Sequence, residues 1–476
     1  MKFEPQKITI EDSMDAIIDY RGKTPQKSSS GIPLITAKIV KNGTILPPTE
    51  FIPSDDYDNW MVRGLPEVGD VVLTTEAPLG EVAQLWDTKI ALAQRIVTLR
   101  GKSGLLHNDY LVYLLQSSTI QNQLNARSTG TTVKGIKQSE LRKIVLDIPS
   151  LDYQKWTAEC LQSLDRKIKN NNQINQTLEK MAQALFKSWF VDFEPVKAKI
   201  AVLEAGGSQE DATLAAMTAI SGKDADSLAV FEQEHPEKYA ELKATAELFP
   251  SALQDSGLGE IPERWNVSLL EDATSLIIDH RGKTPKKLGG DWSEEGHPAI
   301  SAKNIKDGRL VRYDAIKYVD SDLYAKWMKD KLLAGDILMT SEAPLGELLY
   351  LAKDCDYLLS QRLYGIRANN EIISGSYLYF WLQTSAAKAD INGRATGSTV
   401  VGIRQSELKK VNVMVPQKAV VDSFSNLTAL YLEKIESNEK QNIVLKKLRD
   451  TLLPKLLSGE ITLPEAEELA KEADYV

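Results

Sequence analysis

The chain has 476 residues, 42% of them hydrophobic and 26% charged, a globular composition too long for one ordinary core. Two cysteines and four scattered histidines exclude a disulfide framework and a Cys/His metal site. No apolar run is long enough to cross a bilayer and no charged-then-apolar leader is present, so a cytoplasmic protein is expected.

The net charge of −9 argues against a polyanionic partner until its distribution is considered. Residues 1–150 carry 17 basic and 17 acidic side chains, and residues 260–417 carry 21 of each. Residues 151–259 carry 11 against 17, and residues 418–476 carry 8 against 11. Two neutral blocks therefore alternate with two acidic ones. A neutral block can still gather Lys and Arg on one face, so the count permits nucleic-acid binding without supporting it.

The first neutral block opens with Ile17-Ile-Asp-Tyr-Arg-Gly-Lys-Thr-Pro25. A Gly-Asp turn at 69–70 then leads into an apolar run, Val71–Thr75, that reads as a buried strand. The turn Glu76-Ala-Pro-Leu-Gly-Glu81 follows, and Arg95–Leu99 reads as another strand. Asp109–Leu124 has helical apolar spacing after a polar start. Thr129-Gly-Thr-Thr-Val-Lys-Gly-Ile136 is a loop, and Ser139–Lys143 a short helix leading to a strand that stops at Pro149.

The same order returns. Ile277–Pro285 repeats the first motif at an offset of 260, Gly335–Glu347 repeats 69–81 at 266, and Thr396–Leu408 repeats 129–141 at 267. Ile337–Thr340 and Arg362–Ile366 are the corresponding strands, Ser376–Ile391 the helix and Ser406–Lys410 the short helix. Three ordered blocks at nearly one offset imply a duplicated domain, with Leu288–His297 as the main insertion. So long a period excludes a solenoid.

A long helix follows each copy. Leu161, Leu164, Ile168, Asn171, Asn175, Leu178, Ala182 and Leu185 keep coiled-coil spacing, and so do Thr428, Tyr431, Ile435, Asn438, Asn442, Leu445, Arg449 and Leu452 at an offset of 267. Two asparagines occupy matching seam positions in each. Separate surface helices with polar interruptions are one reading. The other pairs the helices, Asn facing Asn, because a buried amide needs a polar partner and so fixes register. Equivalent halves can close through a pseudo-two-fold axis, which makes the helices antiparallel. About 28 residues at about 1.5 Å each give a rod of about 42 Å, close to one DNA turn of about 34–36 Å.

The resulting fold class is α+β: two mixed domains separated by two long helices forming an antiparallel coiled coil. The boundaries are a domain at 1–150, a helix at 151–196, an Ala/Glu-rich helical insertion at 197–258, a domain at 259–417, and a helix and tail at 418–476. Short helices are expected within the insertion at Asp211–Ile220, Ser227–Glu234 and Pro236–Glu247, and Pro464–Val476 is expected to fray.

Each motif has a bland and a functional reading. Arg-Gly-Lys-Thr-Pro is not a phosphate loop, because Ile17 and Ile277 stand where that pattern needs Gly. Arg21, Lys23 and Thr24, with Arg281, Lys283 and Thr284, either touch a DNA backbone or form solvated turns. Glu76/Glu81 and Glu342/Glu347 could be catalytic pairs, but no nucleophile, metal cluster or histidine accompanies them, and Gly and Pro favour a structural turn. The Thr-Gly-x-Thr-Val-x-Gly loops, with Lys134, Lys137 and Arg404, are backbone contacts or structural loops. The chain shows no adenine-methyltransferase motif, which Asp192-Phe-Glu-Pro-Val196 echoes only superficially, and no cofactor loop, nucleophile elbow or dinucleotide fingerprint. It reads as a binder.

Three segments carry a family resemblance. Leu185-Phe-Lys-Ser-Trp-Phe-Val-Asp-Phe-Glu-Pro-Val196 resembles the central conserved region of Type I restriction–modification specificity subunits, as does Gly259-Glu-Ile-Pro-Glu-Arg-Trp265. Leu452-Leu-Pro-Lys-Leu-Leu-Ser-Gly-Glu-Ile461 resembles their distal conserved region. The first domain departs from the pattern, lacking the Pro-x-x-Trp start of the second, so the cover of its N-terminal edge is open. The resemblance implies that each domain is a target-recognition domain reading half of a bipartite site in double-stranded DNA. It implies that the helices space the readers, a role to which the register of Asn171, Asn175, Asn438 and Asn442 read from the seam spacing would contribute. It also implies docking of two adenine-N6 methyltransferase subunits that hold S-adenosylmethionine, and of restriction subunits using ATP and Mg. The chain itself would hold no cofactor and catalyse nothing. The alternatives are a stand-alone DNA-acting enzyme and a scaffold without a DNA role. Base-reading side chains are expected where the copies differ, as at Gln26–Pro33 and Lys286–Pro298.

Overall fold

The computed structural model describes residues 4–461 except 42, 88 and 132, so the tail at 464–476 and Thr132 lie outside the described residues. The chain forms two compact units, one of residues up to Asn171 with those from Lys440 onward, the other Asn172–Glu439. The two long helices, Leu151–Phe190 and Lys418–Ser458, each contribute one stretch to each unit.

In the first unit a four-stranded antiparallel sheet runs in the order Met14–Asp19, Ile96–Gly101, Val71–Thr75, Leu79–Gln84. Period-2 alternation divides its side chains between two cores. Val71, Leu73, Val97 and Leu99 face helical residues Tyr110, Leu111, Leu161, Leu164 and Leu456. Val72, Ile96 and Ile18 face a small sheet through Ile32, Leu34, Ile52 and Leu92. A sheet covered on both faces explains why Val71–Thr75 is an unbroken buried run. Gln6–Thr9 pairs antiparallel with Val145–Ile148 and so covers the N-terminal edge.

The second unit repeats this sheet order with Thr274–Asp279, Leu363–Ala368, Ile337–Thr340 and Leu348–Tyr350. Asn266–Leu269 pairs with Asn412–Val415, the counterpart of the first unit's edge pair. Trp265, fully buried, packs its ring against Phe190 and Phe193, centroids 5.8 Å away in each case. The insertion forms helices Glu194–Glu204, Gln209–Ser221, Ala225–Glu234 and Pro236–Glu247, the middle two capped by Ser208 and Asp224. Among the described residues no helix is long and apolar enough to cross a membrane.

Two expectations are corrected. The single helices at 109–124 and 376–391 are each two, Asn108–Gln116 with Ser118–Arg127 and Gly375–Trp381 with Ser385–Arg394. Ser117 (φ −61°, ψ 147°) and Thr384 (φ −63°, ψ 154°) are extended, and their hydroxyls accept from the amides of Ile120 and Ala387. Such side chains offer the backbone an alternative to helix continuation. The long helices have 40 and 41 residues rather than about 28, roughly 60 Å each. Their ends stay paired beyond the spaced positions while also packing into domain cores, Ala158 in one unit, Trp189 and Phe190 in the other.

The helices run antiparallel. In the first unit Tyr153 Oη donates to the Leu456 carbonyl (2.8 Å), Arg449 Nη1 to Asp165 (2.8 Å) and Asn171 to Asn442 (3.0 Å). Partner numbers fall as the first helix rises. In the second, Asn438 donates to Asn175 (2.8 Å), and Phe424 meets Phe186 and Phe190 edge to face at 5.5 and 5.3 Å. The units fill equivalent seam positions differently. Tyr113 donates to Asp165 (2.7 Å), which also accepts from Arg449, whereas the corresponding Phe380, Leu432 and Ala182 are apolar and buried. Asp165→Ala should therefore cost about 1–3 kcal/mol, because it leaves the Tyr113 hydroxyl without its acceptor and Arg449 with only its Asp450 contacts. The triple change Tyr113→Phe, Asp165→Leu, Arg449→Ala, which copies the other unit, should cost less than that single change. Urea denaturation checks both, and a triple variant weaker than the single one contradicts the account.

Candidate nucleic-acid interface

The three repeated motifs, far apart in sequence, converge. In the second unit the strand Thr274–Asp279 ends at His280, which burial lowers to a pKa of about 4. Arg281 follows. Asp279 accepts from its backbone amide (3.0 Å), from Nε (2.9 Å) and from Nη2 (2.6 Å), and the guanidinium lies 5.0 Å from the Tyr364 ring centroid. The Asp279 hydrogen bonds raise the Arg281 pKa. Lys283 is turned elsewhere, its ammonium donating to the Trp327 carbonyl (3.0 Å), and burial lowers its pKa. Thr284 accepts from the Lys287 amide at 3.4 Å.

The second and third motifs are joined through their backbones. Thr396 and Gly402 exchange both hydrogen bonds (2.8 and 3.0 Å), and the Ile403 amide donates to the Ser341 carbonyl (3.0 Å). Gly397 is required there, since at φ +119° an added Cβ would stand 2.1 Å from the Val400 carbonyl oxygen. The motifs enclose a cleft of about 450 Å³, lined by Arg281, Glu342, Gln361, Arg362, Thr396 and Arg404 among others. Arg281 and Arg404 thus meet in one place, while Lys283 and Thr284 do not line it.

The first unit builds the same joint. Thr129 and Gly135 exchange hydrogen bonds (2.8 and 2.9 Å), and the Ile136 amide donates to Thr75 (3.0 Å). Gly130 at φ +105° plays the part of Gly397. Asp19 accepts from the Arg21 amide (2.8 Å), and Arg63 Nη1 donates to the Arg21 carbonyl (2.8 Å). Among the described residues the side chains of Arg21 and Lys23 have no hydrogen-bond or ion-pair partner, and Lys23, Thr24 and Lys137 are exposed. Lys134, also exposed, donates to Asn125 at 3.5 Å.

The glutamates have structural partners. Glu76 pairs with Arg95 (2.8 Å), Glu342 with Arg362 (2.7 Å), and Glu347 accepts from the Asp307 amide (2.8 Å). The pairing favours the turn over a catalytic dyad. Arg95 and Arg362, with Gln94 and Gln361 before them, were invisible as site residues because their segments read simply as strands. The signal was available, a Gln-Arg pair recurring at an offset of 267. Gln26–Pro33 and Lys286–Pro298 follow the first motif directly in each copy. The second stretch carries half-exposed Trp292, against which Lys317 stacks at 5.2 Å. No group of His, Cys, Asp and Glu that could hold a metal lies among the described residues.

The four seam asparagines are buried, at 3% exposure or less. Asn171 Nδ2 donates to Asn442 (3.0 Å) and Gln441 (2.8 Å), and Asn175 Nδ2 donates to Glu439 (2.9 Å) while its Oδ1 accepts from Asn438 (2.8 Å).

Residues 20–180 and 262–446 match the family model described as the Type I restriction modification DNA specificity domain. The chain is 32% identical to the Type I restriction enzyme HindI specificity subunit of Haemophilus influenzae over 380 residues, covering 78% of this chain and 81% of that one. It is 25% identical to the MjaIX specificity subunit of Methanocaldococcus jannaschii over 400 residues, covering 83% and 78%. The crystal structure of a Type I restriction–modification S subunit from M. genitalium has a similar fold, with TM-score 0.54 at 14% identity and 96% of each chain covered.

Proposed function

The chain belongs to the Type I restriction–modification DNA specificity family, and we propose that each repeated domain reads one half of a bipartite site in double-stranded DNA. The paired helices hold the two readers in one register. They also dock two adenine-N6 methyltransferase subunits, which bring S-adenosylmethionine and flip the target base, as enzymes acting on bases in duplexes do. Restriction subunits using ATP and Mg join through that complex. This chain supplies recognition and no catalysis. The observation that carries the reading is the convergence of the three repeated motifs on one cleft in the second unit, with Arg281 and Arg404 lining it, and the return of the joint between the second and third motifs in the first. In the first unit Arg21, Lys23, Thr24, Lys134 and Lys137 are the candidate backbone contacts, and in the second Arg281, Lys283, Thr284 and Arg404.

Several exposed apolar side chains on the long helices suit partner docking, among them Met181, Leu427, Leu430 and Ile443. The acidic balance of the helical blocks suits protein rather than phosphate.

The reading is tested through spacing. Duplicating Asn172–Asn175 in one helix and Glu439–Asn442 in the other adds one asparagine rung and close to one helical turn. At about 1.5 Å per residue and about 3.4 Å per base pair, the gap between the half-sites should grow by roughly two base pairs, with the half-sites unchanged. Methylation mapping with the methyltransferase subunits present measures it, and an active variant with an unchanged gap contradicts it. The pure chain without those subunits should transfer no labelled methyl group to DNA.

The cations are tested by salt dependence. Lys23→Ala should weaken binding to all sequences and lower the slope of log affinity against log salt by about one. Lys283→Ala should do so less, because its ammonium already serves the Trp327 carbonyl. Equal effects from the two would place Lys283 on the DNA despite that bond.

A further inference from the structure

Arg362 is held in an unusual way for a charged side chain lining a cleft. Its Nε lies 2.7 Å from Glu342 Oε1 in an ion pair, and the side chain is 54% exposed. Arg95 repeats this, with Nε on Glu76 Oε1 at 2.8 Å and 52% exposure. A guanidinium has five donors in a rigid fork. A carboxylate beside Nε holds the guanidinium by charge, and among the described residues neither Nη group of either arginine makes a hydrogen bond. Arg281 is different, since Asp279 takes both its Nε and Nη2. Arg362 also holds a left-handed backbone, φ +68°, a conformation that costs energy in a non-glycine residue.

Two readers of different half-sites share only what every half-site offers. The copies share Glu76/Glu342, Gln94/Gln361 and Arg95/Arg362, and they differ in the loops at 26–33 and 286–298. Every half-site offers a sugar–phosphate backbone. An arginine with two free Nη donors can grip a phosphate through parallel hydrogen bonds.

We propose that in each domain the glutamate positions this arginine to clamp a DNA backbone phosphate, so that the cleft seats the domain on the duplex and leaves base reading to the unrepeated loops. Glu76 and Glu342 are positioning residues, and Arg95 and Arg362 the contacts. The arrangement also accounts for neutral domains on a DNA-reading chain, because each clamp carries its own counter-charge. The inference rests on the DNA-reading function proposed above.

The test uses the full chain with its methyltransferase subunits, a labelled duplex of mixed sequence, a duplex bearing the mapped site, and a series of salt concentrations. Arg95→Ala with Arg362→Ala should weaken both duplexes equally and lower the salt slope by about one per arginine. Glu76→Gln with Glu342→Gln keeps an oxygen for Nε and removes a negative charge near the phosphate. It should tighten both duplexes by about threefold per copy at low salt. A gain of this kind cannot come from misfolding. Unchanged affinity and slope in both variants overturns the clamp while the wild type still binds. A loss confined to the site-bearing duplex overturns it too, since the arginines would then be reading a base such as guanine. Failure of the wild-type complex to bind either duplex removes the DNA reading itself, and the clamp with it.

Discussion

Four buried amides at the centre of the helix seam constrain this molecule more than any other feature. Leu161, Leu164, Ile168, Leu445 and Leu452 would pack tolerably in several registers, as coiled-coil leucines do. Asn171 and Asn175 would not. Each finds an amide on the facing helix, and a slip by one turn would keep only one such pair and set the other two amides against hydrocarbon at about 1–3 kcal/mol each. Against a net stability of about 5–15 kcal/mol, that is enough to leave one alignment. The offset of 267 maps the Asn171–Asn442 pair of one unit onto the Asn438–Asn175 pair of the other, so the same device appears twice. The contrast between Tyr113–Asp165–Arg449 and Phe380–Leu432–Ala182 gives each unit its own match. Exchanging the halves of the seam would bury a charge against apolar neighbours.

Much of this was legible in the sequence because it repeats. Periodicity located the strands Val71–Thr75 and Ile337–Thr340 to the residue, and the seam spacing identified all four buried asparagines of the long helices. What escaped was decided by single side chains or by tertiary contact. Ser117 and Thr384 break helices through hydroxyl caps that apolar spacing does not register. The helices outrun the spaced positions because their ends stay paired through Tyr153 on Leu456 and Phe190 on Phe424, contacts that fall outside the heptad pattern. The Lys283 ammonium lies on a carbonyl 44 residues away. No local pattern predicts that, and the copy at Lys23 is exposed.

The domains show how a balanced charge count coexists with a cationic site. Asp70 and Arg100, and likewise Asp336 and Arg367, form bidentate pairs with all four bonds at 2.8 Å, anchoring the turn before the buried strand. Those arginines are structural, held by both Nε and Nη2. Arg95 and Arg362 are instead ion-paired to one glutamate each, through contacts of 2.8 and 2.7 Å at Nε, and make no side-chain hydrogen bond among the described residues.

The central claim is that each domain carries the information for one half-site. Replacing residues 266–415, between the paired edge strands of the second unit, by residues 6–148 from the first tests it most directly. With the methyltransferase subunits supplied, methylation mapping should return a symmetric site, the first domain's half-site followed by its inverted copy across the original gap. A chimera that still methylates the wild-type asymmetric site would show that recognition lies outside these domains.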